Sequence, residues 1–324
     1  MPLLDGRDPA ALQAAAERLA AGGLVAFPTE TVYGLGARAD DDAAVAAIFA
    51  AKGRPADHPL IVHIADPSAV AEFALAPGDA AQALMARFWP GPLTLILPRR
   101  AGRGTAAAGG QASIGLRLPS HPVALALLRE CARRGVAGVA APSANRFGRV
   151  SPTAAAHVQQ EFGPGLLVLD GGACDVGIES AIVDCTRDVP ALLRPGGLDR
   201  RVLEAALGQP LAAPDAASPR ASGTLEAHYA PNAKLVLMTA PALAAALAAG
   251  PRRGLAVYSQ VVAPVSAGVA HRVMPVSASA AAHELFAVLR EFDALGVSLI
   301  WVETPPPGPE WDGVRDRLQR AAAA

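Results

Sequence analysis

Several short apolar segments follow one another without a helical segment between them, and this pattern limits the fold most. Residues 93–97 (LTLIL) precede residues 113–118 (SIGLRL), and residues 180–185 (SAIVDC) precede residues 191–196 (ALLRPG). Elsewhere helical segments separate the strands, but not with the strict rhythm of a doubly wound sheet. The pattern predicts an α/β domain with a mixed, twisted sheet and helices.

Local signals place individual elements along the first two hundred residues. Asp8 and Pro9 have the N-cap and first-turn preferences of a helix start. Asp40 is predicted to cap a second helix, and Pro152 is predicted to open a later one. Residues 29–36 (TETVYGLG), which end in two closely spaced glycines, are predicted to be a loop.

A linker separates two predicted domains. Residues 211–227 are rich in Pro, Ala and Ser and show little periodicity. We therefore predict a first domain over 1–208, a linker over 209–233 and a small Rossmann-like α/β domain over 234–324. The small domain has neither GxGxxG nor GxxxxGK[ST], so the sequence indicates no dinucleotide or Walker-type ATP site there.

Composition narrows the class of protein. The chain is 52% hydrophobic and 18% charged, which allows a sizeable core, and its net charge of -1 argues against bulk binding of nucleic acid. Three cysteines without CxxC spacing fit a reducing cytosol, and seven histidines without ligand spacing predict no protein-held metal. No signal peptide or run of about 20 apolar residues is present, so we expect a cytoplasmic protein without a membrane contact.

One lysine is conspicuous among many arginines. Of 28 basic residues, only Lys52 and Lys234 are lysines, so Lys52 is a candidate for a site that needs a compact ammonium. Arg54 and His58 follow it in a loop, and His63 lies on the next strand. Such a cluster suits a polyanion such as triphosphate. The alternative is a solvated loop with a core histidine.

Other loops at strand ends carry polar groups. Residues 141–153 (APSANRFGRVSPT) offer hydroxyl, amide and backbone N–H groups that can hold a phosphate or a nucleoside, although an ordinary turn explains them too. Arg117 in mid-strand either clamps a substrate carboxylate or forms a salt bridge at the sheet rim. Ser180 and Arg194 lie at two further strand ends. Without a GxSxG elbow, the pattern favours positioning and charge neutralisation, as in nucleotidyl transfer.

Seven motifs in this order resemble the YrdC-type domain of threonylcarbamoyl-AMP synthases. They are PTETVYGLG, KGRPADHPLIVHI, FWPGPLTLIL, SIGLRLPSH, APSANRFGRVSPT, GIESAIVDCT and LLRPGG. The resemblance covers about residues 10–208, and the HYAP sequence with the second α/β domain is similar to the two-domain form. It implies that L-threonine, bicarbonate and ATP with Mg²⁺ give threonylcarbamoyl-AMP and pyrophosphate. A separate transferase complex would receive the product for tRNA modification, and a weak contact with tRNA stays open.

The resemblance also implies roles for individual residues. Lys52 and Arg54 would be catalytic, and Mg²⁺ would be held mainly by ATP phosphates. The threonine pocket would comprise Thr31, His63, Arg117 and Ser180. The ATP side would comprise Arg54, His58, Ser113, Ser143, Asn145, Ser151, Arg194 and Tyr229. Because Tyr229 belongs to the linker, the linker is expected to fold over the mouth of the site.

Two departures and three alternatives accompany this interpretation. Ala181 lacks the hydroxyl usual in the family, and Glu226 stands in a linker that commonly carries cations. An RNA-binding module of the same fold and a paralogue with a different acceptor are the first two alternatives. The third, a hydrogenase-maturation carbamoyltransferase, would need zinc-finger CxxC pairs that this sequence does not contain.

Overall fold

The computed structural model describes residues 3–250, 253–264 and 268–324, and it divides into two compact units. The first unit contains the chain up to Phe147 together with Ser151–Thr224, and the second contains Gly148–Val150 and Leu225–Ala324. This division separates the tip of the 141–153 loop from its flanks. The boundaries predicted at 208 and 233 stay predictions.

The first unit is built around a ten-stranded sheet. Its strands are β1 (Leu3–Asp5), β2 (Val25–Phe27), β3 (Gly34–Arg38), β4 (Ile61–His63), β5 (Leu93–Pro98), β6 (Ser113–Arg117), β7 (Val139–Ala140), β8 (Leu167–Asp170), β9 (Ala181–Asp184) and β10 (Ala191–Arg194). Its helices are α1 (Pro9–Ala20), α2 (Asp42–Lys52), α3 (Val70–Phe73), α4 (Asp79–Phe88), α5 (Pro122–Arg133), α6 (Ala155–Phe162) and α7 (Arg200–Leu207).

The order of the sheet is β1-β8-β2-β3-β7-β4-β6-β5-β9-β10. Strands β4 and β6 are parallel, whereas β5 and β6 are antiparallel, as are β9 and β10. The predicted mixed α/β sheet is therefore confirmed. Where strands follow directly in sequence, as β9 and β10 do, their antiparallel pairing needs only a short connection.

Helices cover both faces of the sheet near β2. Val25 and Phe27 pack in one apolar cluster with α1 and α5, while the intervening Ala26 belongs to a second cluster that includes residues of α2. This alternation is the period-two pattern of a strand, so a strand buried on both faces is apolar throughout. Buried polar side chains include His63 on β4 and Arg117 on β6 in the middle of the sheet, and Arg194 on the edge strand β10.

Three local predictions were wrong. The cap of α2 is Asp41, whose carboxylate accepts from the amides of Ala43 and Ala44, while Asp40 instead pairs with Arg38. Helix α6 begins at Ala155 rather than at Pro152.

The third error concerns residues 29–36, where the predicted loop ends in a strand because β3 begins at Gly34. A Cβ at Gly36 would lie 2.8 Å from the rings or methyls of Phe27 and Val139, so only glycine lets β3 approach β2 there.

The second unit contains a separate parallel sheet of order β11-β14-β12-β13. Its strands are β11 (Lys234–Met238), β12 (Leu255–Ser259), β13 (Ala270–Val273) and β14 (Leu299–Glu303), and its helices are α8 (Ala240–Ala248), α9 (Ala278–Ala294) and α10 (Asp312–Ala322). Helix α9 buries seven residues on its apolar face, including Leu285, Phe286 and Leu289. The predicted small Rossmann-like domain is confirmed, with β13 as a strand that the sequence pattern did not indicate.

Candidate active site

The predicted site residues all lie within the described ranges of the two units. Within these ranges, no helix has the length and apolar character needed to cross a membrane. No three His, Cys, Asp or Glu side chains of the described residues lie close enough together to hold a metal ion. Burial raises the pKa of the Cys131 and Cys185 thiols to about 12, so neither thiol is suited to act as a nucleophile at neutral pH.

Arg117 is a buried cation with partners inside the first unit. Its Nη2 lies 2.8 Å from Glu30 Oε1, and its Nη1 donates to Thr31 Oγ1 over 2.8 Å. Its Nε donates to the carbonyl of Gly91 over 3.3 Å. The salt bridge considered as the alternative therefore exists, in a buried position. Since a guanidinium has five N–H bonds and three are engaged, two remain for a ligand carboxylate.

The carboxylate of Glu30 is ionised in this pair. Burial by itself works against the charge, but the charge of Arg117 and its hydrogen bond outweigh burial and lower the pKa of Glu30. The neutralised pair can thus remain in the interior, where an isolated guanidinium would be costly. Glu30 was not among the predicted site residues, although it lies within the motif formed by residues 28–36.

His63 lies beside Arg117, because β4 and β6 run parallel with these two residues as register partners. Its ring packs edge-on against Phe27 at 6.1 Å. Burial, reinforced by the charge of Arg117, lowers the pKa of His63 to about 3, so the imidazole is neutral at pH 7. Its buried Nδ1 has no hydrogen-bond partner among the described residues by distance and angle, and the carbonyls of Ile61 and Val139 lie near the ring.

Ser180, just before β9, and Arg194, at the end of β10, are joined by hydrogen bonds. Ser180 Oγ is 2.8 Å from Thr94 Oγ1, and Arg194 donates from Nη2 to the carbonyl of Ser180 over 2.9 Å. Thr94 is fully buried at the start of β5. A hydroxyl in an otherwise apolar strand was a sequence signal for Thr94, which the prediction overlooked.

Lys52 holds the loop that follows β7. Its Nζ donates to the carbonyls of Ser143 over 2.6 Å and of Asn145 over 2.5 Å, and its own carbonyl accepts from the amide of Phe147. Burial, followed by the charge of Arg54, lowers the pKa of Lys52 well below its ordinary value. A compact ammonium fits between two carbonyl oxygens, which gives a physical reason for a lysine here.

Arg54 and His58 flank the ring of Phe147. The Arg54 guanidinium is 5.6 Å from the ring centroid, and the His58 ring is 5.4 Å from it. Burial and the charge of Arg54 lower the pKa of His58. Ser151, on the far side of the same loop, donates to the buried carboxylate of Glu179, which the prediction did not include. Ser113 begins β6 opposite Pro98.

The linker reaches this group of cations. Arg54 donates to the hydroxyl of Ser222 over 3.3 Å, and Arg194 donates to its carbonyl over 2.7 Å. Ala212 and Ala221 pack on an apolar cluster of the sheet that contains Ile61, Ile96, Ile182 and Leu193. No motif marked Ser222, so the sequence offered no signal for its contacts.

Tyr229 is the one predicted site residue in the second unit. Its backbone has a φ of 62°, which is unusual for a non-glycine residue. Its ring lies 5.4 Å from that of Phe286, and the Arg317 guanidinium lies 5.4 Å above it. The predicted contact of Tyr229 with ATP stays a prediction.

Two family models match the sequence. One, named Sua5/YciO/YrdC with the description "Telomere recombination", matches residues 17–196. The other, described as the C-terminal domain of threonylcarbamoyl-AMP synthase, matches residues 198–323. Together they span both units.

Named relatives and solved structures agree with these matches. The threonylcarbamoyl-AMP synthase of Bacillus subtilis is 44% identical over 241 residues, which are 72% of this chain and 68% of that protein. A variant of Pyrococcus abyssi Sua5 superposes with a TM-score of 0.89 at 33% identity, covering 99% of this chain and 96% of that one. Sua5 of the same organism, solved in complex with L-threonine, gives a TM-score of 0.87 at 35% identity, over 96% and 94% of the two chains.

Proposed function

The chain belongs to the threonylcarbamoyl-AMP synthase family, and from this premise we propose how its residues perform the synthesis. The substrates are L-threonine, bicarbonate and ATP, and the products are threonylcarbamoyl-AMP and pyrophosphate. The observation that carries the proposal lies within one unit: the neutral His63 lies beside the Arg117–Glu30 pair, and Arg54 and Arg194 both bond to Ser222 of the linker. In the same unit, Lys52 bonds to the loop that follows β7.

Threonine recognition uses the groups around Arg117. The two N–H bonds of Arg117 left by its partners bind the substrate carboxylate, and Thr31 and Ser180 supply hydroxyl groups. The neutral imidazole of His63 accepts a hydrogen bond from the substrate through Nδ1. The neutral threonine amine attacks CO2 and releases one proton, or it attacks bicarbonate and water leaves, and either route gives the carbamate anion. With a pKa of about 3, His63 is too weak a base to take up a proton in this step.

Nucleotidyl transfer follows from the carbamate. A carbamate oxygen attacks the α-phosphorus of ATP, a new O–P bond forms, and the bond to the bridging oxygen breaks as pyrophosphate leaves. Arg54 and Arg194 stabilise the negative charge on the phosphates. Lys52 positions Ser143 and Asn145 against the nucleotide, and its third N–H is left for a phosphate oxygen. Mg²⁺ enters with ATP as part of the substrate and is bound mainly by phosphate oxygens.

The product is a mixed anhydride of a carbamic and a phosphoric acid, so it needs a receiver that protects it from water. We propose a transferase complex that passes the threonylcarbamoyl group to adenosine in tRNA as that receiver. The substrates and the receiver also favour the cytoplasm as the location of this chain, because ATP, free threonine and tRNA are available there.

The test is pyrophosphate release by the purified chain with MgATP, while threonine and bicarbonate are supplied or withheld in turn. We expect release only when both are present, together with a product of the mass of threonylcarbamoyl-AMP. Release without threonine would replace the proposal with an enzyme that uses a different acceptor. No turnover, with salt-sensitive retention of RNA, would favour the RNA-binding alternative.

A further inference from the structure

The tip of the 141–153 loop belongs to the second unit, although the loop carries predicted ATP-side residues on both sides of the tip. Ser151 directly follows the tip tripeptide Gly148–Val150, and Asn145 lies three residues before it. The resemblance assigns these two residues to ATP. Contacts that fix the backbone of Gly148–Val150 therefore also restrict the backbone conformation of the loop residues on either side.

The tripeptide is fixed along its backbone by the end of the linker. The amide of Ala230 donates to the carbonyl of Gly148 over 2.8 Å, and Arg149 and Ala230 form a parallel bridge. Helix α9 adds a bond from Arg290, whose guanidinium donates to the carbonyl of Val150. Two of the three tip residues thus have their carbonyls engaged.

Asp293, near the end of α9, ties the tripeptide to the linker. Its two carboxylate oxygens accept from the amide of Asn232 over 2.7 and 2.9 Å. The Arg149 guanidinium lies 3.3 Å from the same carboxylate and also donates to the Asn232 side chain. The Asp293 side chain is 14% exposed and that of Arg149 is 31% exposed, so salt screens this charge pair only in part.

We infer that Asp293 is a positioning residue for ATP-dependent synthesis, through which α9 orders the ATP-side loop. The inference rests on the proposed function for the assignment of the loop to ATP. It gives the second unit a task in the reaction, namely to hold Gly148–Val150 beside residues 230–232. Without the carboxylate, the ordered loop is a smaller fraction of the ensemble, and the apparent affinity for ATP falls by that fraction.

The experiment compares Asp293→Ala with Glu291→Ala. Glu291 lies on the same helix and pairs instead with Arg272 on β13, at 3.0 Å, so its removal controls for loss of a surface charge. Thermal unfolding first establishes that both variants fold. Arg290→Met provides a second, independent release of the tripeptide.

Two readouts separate positioning from a merely structural role. In hydrogen–deuterium exchange, Asp293→Ala and Arg290→Met should raise exchange of the amides of residues 148–151 by roughly tenfold, whereas Glu291→Ala should not. In steady-state kinetics, Asp293→Ala should raise the KM for ATP about fivefold or more, with the KM for threonine and kcat within about twofold.

A variant that lowered only kcat, or raised both KM values equally, would overturn the inference, as would unchanged exchange at residues 148–151. The outcome stays distinct from that of the proposed function. If the wild-type chain formed no product, calorimetric titration with MgATP would replace KM. A wild-type chain that bound no ATP would itself refute the role in ATP binding, whatever the exchange data showed.

Discussion

At the scale of single residues, Arg117 shows how a structural and a functional interpretation can coexist. The guanidinium is paired with Glu30, as a buried arginine must be, yet two of its N–H groups are left to bind a substrate. Glu30 also lowers the electrostatic cost of keeping the cation in place before a carboxylate arrives. A pre-paired arginine of this kind binds a substrate carboxylate by hydrogen-bond geometry more than by net charge.

His63 makes stability depend on pH. Below pH 6.5 the unfolded chain binds a proton at this imidazole, whereas the folded chain does not until about pH 3, so stability falls as the pH falls through this window. Between pH 7 and 5 the loss due to His63 is expected to be about 2 kcal/mol.

Urea unfolding of the wild-type chain and of His63→Gln at both pH values measures this loss. The other titrating groups contribute to both proteins, so the difference between their pH dependences isolates His63. Equal pH dependences in the two proteins would show that His63 is not held neutral by burial.

At the scale of elements, the end of α2 and the loop after β7 act together through Lys52. The side chain bonds to two loop carbonyls and the main chain to a third loop residue, Phe147. The ring of Phe147 in turn packs against the side chains of Arg54 and His58. Displacement of one ammonium group would therefore disturb several predicted ATP-side residues at once.

The variant Lys52→Arg should lower kcat/KM by about tenfold or more, because a planar guanidinium is too large to lie between the same two carbonyls. Lys234→Arg is the matched control, since Lys234 is exposed and is the only other lysine in the chain. Pyrophosphate release with varied ATP measures both. Full activity of Lys52→Arg would refute the proposed role of this ammonium.

At the scale of the whole molecule, most of the architecture of each unit could be predicted from local sequence. The apolar runs gave the strands, and Asp8 with Pro9 correctly marked the start of α1. What failed were features set by partners distant in sequence. Gly34 and Gly36 looked like a loop because the fit of Gly34 beside Ala141 and of Gly36 beside Phe27 and Val139 depends on the sheet. Strand β1 is too short to signal its pairing with β8.

The candidate site was predictable to the extent that motifs marked it. Arg117 bonds to Thr31 and is the register partner of His63, and Arg194 bonds to Ser180. The sequence prediction missed Glu30, Thr94 and Glu179. Each is a buried hydrogen-bond or ion-pair partner of a predicted site residue, and the fold decides which residues become partners. Ser222 was missed for a different reason, since the linker has no periodic pattern that would indicate where it packs.

The packing of Ala212 and Ala221 on the sheet has a consequence for the colloidal behaviour of shortened chains. A fragment ending at residue 208 would expose Ile61, Ile96, Ile182 and Leu193 as one patch and leave Arg54 and Arg194 without Ser222. We expect such a fragment to scatter light and bind a hydrophobic dye at concentrations where the full chain does neither. A monodisperse fragment without dye binding would show that the linker is dispensable for solubility. The linker thus covers an apolar surface that would otherwise promote aggregation of the chain.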